Sequence, residues 1–265
     1  MLTKHREEFI QRVVVTAANM QAIESRIFAA GFPVEALMEK VAGRITERIC
    51  TLYPLGRSSL SVGILVGPGH NGGDALVVAR ELFFRGYDVA CYQPLTKLKL
   101  LTAAHAQYIT SLGIPFVDGV EALAQCDLIV DGLFGFGLNR DLTGAIAHAV
   151  DTINTFGSPI PSDFSSETRT ANVHHQNIPI ISIDLPSGLH TDTGDVLGTA
   201  IRATHTLCLG LWKQGLLQDN ALPYAGQVSL VDFDIPLNDI EAVLGSTPPV
   251  QRITTASALQ SLPIP

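Results

Sequence analysis

The chain has 265 residues, 46% of them hydrophobic, and a formal charge of −8 at pH 7. That content is ample for a large buried core, and no run approaches the roughly 18 uninterrupted apolar residues of a membrane helix. The acidic balance and the lack of Lys/Arg clusters exclude a nucleic-acid backbone as the main partner, although backbone donors can still hold a phosphorylated small molecule. Residues 1–8 lack the apolar region of a secretory signal, so no membrane partner is expected and a soluble, cytoplasmic protein is. Cys50, Cys91, Cys126 and Cys208 are widely spaced without a CxxC pair, and are expected as reduced thiols.

From about Thr16, apolar residues at helical spacing (Val13, Met20, Ile23, Ile27, Phe28) lead to a break at Gly31-Phe32-Pro33. A second helix carries Leu37, Val41 and Ile45 on one face. Leu60 to Val66 reads as a buried strand, followed by the glycine-rich loop Gly67-Pro68-Gly69-His70-Asn71-Gly72-Gly73-Asp74 and a helix from Ala75 to Phe84. Strands at 87–92, 114–117 and 128–131 then alternate with helices at 102–112, 120–125 and 145–153. Further strands are predicted at 178–184, 205–209 and 227–231. Such alternation means an α/β fold, a three-layer α/β/α Rossmann-like sandwich with a mostly parallel sheet. Residues 157–176, polar and Ser/Thr-rich, read as a surface insertion. The domain is expected over 1–237, with 238–265 a linker or the start of a C-terminal region.

In open parallel sheets, ligands bind beyond the carboxyl ends of the strands, where strand order reverses. Three strand ends here are unusual. The Gly67–Asp74 loop lets backbone approach an anion at a helix amino end, but lacks the Gly-Lys-Ser/Thr of a Walker A loop and the GxGxxG of a dinucleotide fingerprint. As a plainer alternative, its glycines make only a tight turn and Asp74 only a cap. Asp131-Gly132-Leu133-Phe134-Gly135-Phe136-Gly137-Leu138-Asn139-Arg140 puts a carboxylate at the end of an apolar strand, where it is costly unless paired or metal-bound, and an arginine able to clamp phosphate. Asp184-Leu185-Pro186-Ser187-Gly188 again ends a strand on an acid, and is not the GxSxG of a serine hydrolase. Two aspartates and a hydroxyl suit oxygen ligation of a cation, acid–base work, or both.

Together these blocks resemble the YjeF N-terminal domain family, the NAD(P)H-hydrate epimerases. The family's N-N-G-G-D, D-x-L-F-G-x-G and D-x-P-S-G patterns correspond to His70–Asp74, Asp131–Gly137 and Asp184–Gly188, with Gly194 completing the last block. Leu37-Met38-Glu39 and Lys213-Gln214-Gly215-Leu216 are further matches, and the similarity spans about Val13 to Pro236. His70 stands for the first asparagine of N-N-G-G-D, and Lys40-Val41 for an asparagine–alanine pair.

The resemblance implies an isomerase that interconverts the R and S forms of hydrated NADH and NADPH (NADHX and NADPHX) in cofactor repair. It implies potassium held by Asn71, Asp131 and Ser187. Substrate contacts would come from His70, Asn71, Gly72, Gly73, Asp74, Gly135, Phe136, Gly137, Leu138, Asn139, Arg140, Asp141 and Asp184. A hydrate dehydratase, fused C-terminally in many members, is the implied partner, and the apolar N-terminal helices could form a homodimer contact. Asp184 is the expected catalytic residue, acting in protonated form to help the C6 hydroxyl depart. The alternative is a non-catalytic YjeF-type module that binds a nucleotide ligand or serves as a scaffold.

Overall fold

The computed structural model describes residues 2–56, 59–156 and 177–252. Short runs without polar interruption, such as Val62 to Val66, become strands that are buried on both faces. In chain order the elements are α1 (Leu2–Ile10), β1 (Val14–Val15), α2 (Ala17–Ala29), α3 (Val34–Leu52), β2 (Ser61–Val66), α4 (His70–Phe84), β3 (Asp88–Tyr92) and α5 (Leu100–Ser111). They continue with β4 (Leu128–Gly132), α6 (Gly144–Phe156), β5 (Ile180–Ile183), β6 (His205–Leu209), β7 (Trp212–Lys213), α7 (Leu222–Ala225), β8 (Gln227–Val231) and α8 (Leu237–Leu244).

Six strands form one parallel sheet in the order β3-β2-β4-β5-β6-β8. Strand polarity of side chains assigns the layers. Val62, Ile64, Val66 and Val130 join the core under α2 to α5, whereas Leu65, Ile129 and Ile180 pack with Ala149, Val150 and Ile153 of α6 on the other face. Each fully buried aliphatic side chain contributes roughly 1.5–3 kcal/mol, so these two cores hold the layers together. The expected three-layer α/β/α sandwich is therefore observed. Chain order turns back between β2 and β4, which sets the crevice of an open parallel sheet above those two strands.

Several element boundaries differ from expectation. The helix foreseen from Ala75 starts at His70, so Asn71 to Asp74 form its first turns rather than a loop. Gly72 and Gly73 lower helix propensity, but close packing outweighs it: a Cβ on Gly72 would lie 1.9 Å from the Gly67 carbonyl oxygen. The 114–117 strand reduces to one bridge, Phe116 with Cys91, and 120–125 is a 3₁₀ helix. Val13 is not helical; it bridges to Gln251, and β1 next to it pairs with β7.

The expected linker also begins as structure. Ile240 of α8 is wholly buried, Asp239 pairs with Arg26 of α2 at 3.0 Å, and the Arg252 guanidinium stacks 4.2 Å from the Trp212 ring. The packed domain thus continues past 237 to Arg252, because an amphipathic helix there completes the core. The insertion at 157–176 and the tail at 253–265 lie outside the described residues. Among the described residues no helix is long and apolar enough to cross a membrane. Their four cysteines are free thiols.

Candidate active site

The loops after β2 and β4 meet at the crevice. The Gly67 N–H donates to the Gly132 carbonyl at 3.1 Å, and a Cβ on Gly67 would fall 1.7 Å from the Leu133 carbonyl oxygen. Only glycine permits that approach. Thr102 at the start of α5 donates its hydroxyl to the Gly69 carbonyl at 2.8 Å, and the Lys99 N–H donates to Pro68 at 2.9 Å. The amino end of α4 is therefore held facing the crevice, and its first-turn N–H groups, which have no acceptor within the helix by position, provide positive partial charge there.

Beneath the loops lies Asp131, fully buried at the end of β4. Its Oδ2 accepts from Ser182 Oγ at 2.7 Å and the Ser187 N–H at 2.9 Å; its Oδ1 accepts from Ser187 Oγ at 2.6 Å and the Leu133 N–H at 3.2 Å. Burial pushes this carboxyl above its ordinary range, and the four donors pull against that. Ser187 Oγ also lies 3.2 Å from the Phe134 carbonyl and accepts from the Phe134 N–H at 2.9 Å. Nearby, the buried Nδ2 of Asn71 has no hydrogen-bond partner. Since amide oxygen and nitrogen are assigned by their partners, this end of the side chain fits an oxygen turned towards a cation. The donors around it (amide, carboxylate, hydroxyl and carbonyl) are all hard oxygens, and among the described residues no group of three or more His, Cys, Asp or Glu that could hold a metal ion is present.

The third strand end is the most constrained. Asp184 follows β5 with φ +69°, and the Leu185 N–H returns to the Ile183 carbonyl across it at 2.9 Å, a three-residue turn that an L-residue rarely adopts. This strained turn aims the carboxylate at Lys213, whose Nζ lies 2.5 Å from Asp184 Oδ1. The Leu209 N–H donates to the same oxygen at 3.2 Å, and the Phe136 N–H to Oδ2 at 3.1 Å. The Lys213 ammonium also donates to the Leu209 carbonyl. Burial alone would lower the lysine, but Asp184, Cys208 and Glu24 together raise the ammonium above its usual range. An acid that accepts one ammonium and two N–H groups acts as a carboxylate. The protonated Asp184 expected from its apolar strand end does not fit this arrangement, because Lys213 supplies the proton-bearing partner.

A cavity of about 690 Å³ opens above these groups. Of the residues singled out in the sequence, His70, Asn71, Asp74, Gly135, Phe136, Gly137, Leu138, Asn139 and Asp184 line it. The other end of the Asn71 amide and the Asp184 carboxylate converge on Gly135, each 3.1 Å from where a Cβ would stand. The other candidates are not on its wall. Gly72 and Gly73 are buried in the first turns of α4 against the Gly67 turn and Met38, Asp131 and Ser187 lie under the loops, and Arg140 and Asp141 are exposed to solvent.

Among the wall residues that sequence reasoning missed are Lys213, Glu24 and Lys99. Lys213 reads as a surface lysine, yet the β1–β7 pairing (Val15 beside Lys213) buries it; its place in the Lys-Gln-Gly-Leu block was the available signal. Glu24 reads as the solvent face of an amphipathic helix, but Ala17, Met20, Glu24 and Phe28, spaced by three or four residues, form one face of α2 on the cavity. Lys99 stands at the cavity beside His70, whose imidazole is lowered by burial and then by that lysine.

Burial raises Glu24 to about 7, with Lys213 opposing and Asp184 adding to the shift. Asp74 is pushed well above its ordinary range by burial, then by Glu24 and Asp184.

The profile of the family described as "YjeF-related protein N-terminus" matches residues 34–215. The chain is 54% identical, over 89% of its length and 42% of the relative's, to the bifunctional NAD(P)H-hydrate repair enzyme Nnr of Thermosynechococcus vestitus. It is 51% identical to the Nnr of Synechocystis sp., over 96% of this chain and 44% of that one. It thus spans less than half the length of these two curated relatives. It is also 32% identical to the NAD(P)H-hydrate epimerase of Oenococcus oeni, over 77% of this chain and 88% of that protein. The crystal structure of yeast ynu0, YNL200c, superposes with a TM-score of 0.70 at 22% identity, covering 91% of this chain and 97% of that one, which supports the fold.

Proposed function

The chain belongs to the family of YjeF-related N-terminal domains, and from that premise we propose that it is an isomerase that epimerises the hydrated nicotinamide cofactors NADHX and NADPHX. The observation that carries this reading is the buried Asp184–Lys213 pair at the floor of a dinucleotide-sized cavity, beside the amino end of α4. A diphosphate is the group that such a helix end attracts, with Lys99 and His70 at hand. Phe28, Leu37 and Phe136 offer apolar surface for rings.

The reaction inverts a carbon that bears a hydroxyl next to a ring nitrogen, and needs no redox change. Loss of the hydroxyl as water leaves an iminium cation at C6. The Asp184 carboxylate, fixed by Lys213 and two N–H groups, stabilises that positive charge without reorganising. Water returning to either face completes the inversion.

Potassium would be held in this reading by Asn71, Asp131 and Ser187, and would supply positive charge to the site. The partnerless Asn71 amide and the all-oxygen surroundings support it. The Ser187 hydroxyl proton can serve only one of Asp131 and Phe134, so its rotation towards Phe134 leaves Asp131 Oδ1 with the Leu133 N–H alone. A stereospecific hydrate dehydratase is the partner, since two relatives carry the repair activity as one bifunctional chain. Chromatographic separation of NADHX epimers over time, with and without the protein, tests the activity. A non-catalytic ligand-binding module would bind the dinucleotide and leave the interconversion rate unchanged.

A further inference from the structure

We propose that Glu24 is the proton-transferring residue of this site, the group that protonates the departing C6 hydroxyl and recovers the proton when water returns. The proposal rests on the epimerase reading above.

Asp184, committed to Lys213 and two N–H groups, has no proton to give. The site still needs an acid, and the geometry narrows the choice. Glu24 lies on the face of α2 that lines the cavity, and α2 is fixed in place at both its ends. Thr16 and Asn19 form a capping box at its amino end, the Asp192 carboxylate accepts the Ala17 N–H at 2.7 Å from the segment after Asp184, and Arg26 pairs with α8. Within the described residues the Glu24 carboxyl makes no hydrogen bond or ion pair, so its proton is uncommitted. The titratable groups facing the same space are Asp74 of α4, Asp184, Lys213, His70, Lys99 and His190. Burial and the nearby Asp184 carboxylate, only partly offset by Lys213, disfavour a negative charge on Glu24 and raise it to about 7, which keeps a proton on it near neutral pH.

The step balances. The Glu24 carboxyl transfers its proton to the C6 hydroxyl oxygen, and the C6–O bond breaks with its electron pair leaving on water. The ring-nitrogen lone pair forms the C=N bond. Water then adds to C6, and its surplus proton passes to the Glu24 carboxylate, directly or through cavity water. Nothing is oxidised or reduced.

The test is steady-state kinetics of NADHX epimer interconversion by wild type, Glu24→Gln and Glu24→Asp across pH 5.5 to 8.5. Glutamine keeps the shape of the protonated acid and transfers nothing. The expected result for Glu24→Gln is a fall in kcat of about 100-fold with KM within about threefold, and loss of the pH limb near 7. Glu24→Asp should recover part of the rate. A Glu24→Gln variant as fast as an active wild type, or one altered in KM alone, overturns the role. A wild type that leaves the epimers untouched overturns the functional reading and this role together.

Discussion

Lys213 and Asp184 form an ion pair 2.5 Å long with both side chains almost wholly shielded from water, 1% and 3% exposed. Such a pair is stabilising only while both partners remain, because removal of one leaves a buried charge uncompensated. Lys213→Met should therefore destabilise the protein by about 3–5 kcal/mol in denaturant titration. Adding Asp184→Asn to it should recover part of that loss, since asparagine tolerates the positive φ and carries no charge. A double variant no more stable than Lys213→Met would show that the pair is not coupled in this way.

The glycines of the α4 entrance divide by what surrounds them. A Cβ on Gly67 or Gly72 would collide with backbone, at 1.7 and 1.9 Å, whereas Gly69 has open space. Gly67→Ala and Gly72→Ala should each cost at least about 2 kcal/mol, and Gly69→Ala less than about 1 kcal/mol. Unfolding midpoints measure the order, and equal losses at all three positions would contradict it.

The strands and their acidic ends were legible because sheets covered on both faces demand apolar runs, which make Asp131 and Asp184 conspicuous. Lys213 and Glu24 were not. Lys213 is buried by the pairing of two-residue strands far apart in sequence, and Glu24 by the helix face that the cavity selects, neither of which periodicity reports. The start of α4 was hidden for a different reason: Gly72 and Gly73 read as loop, while their contact with the Gly67 turn and Met38 favours helix. Likewise, 238–252 read as linker because the burial of Ile240 depends on α2, which is remote in the chain.

The 238–252 segment gives its own test. Ile240→Ala removes a fully buried side chain and should destabilise by roughly 2–5 kcal/mol, a loss that a linker residue would not produce.

Glu24 links stability to pH. Its folded value of about 7 lies above the ordinary 4.5, so its contribution is fully present below pH 4.5 and is lost as pH rises to about 7. Glu24→Gln should remove that part of the slope and leave the variant more stable than wild type at pH 8. Urea titrations at pH 5 and 8 read this directly; parallel wild-type and variant curves would exclude the linkage.

If potassium binds at Asn71, Asp131 and Ser187, potassium chloride should raise the wild-type melting temperature above that in equimolar choline chloride. Ser187→Ala should abolish the difference. A salt response shared equally by the variant would place the effect elsewhere.

The most direct measurement starts from one purified NADHX epimer and follows the appearance of the other by chromatography with wild type and with Asp184→Asn. The wild type should bring the mixture to equilibrium far faster than buffer, and Asp184→Asn, folded and still able to bind the dinucleotide, should be slower by about 100-fold or more. Equal rates for buffer and wild type, or for wild type and Asp184→Asn, would contradict an epimerase built on the Asp184–Lys213 pair.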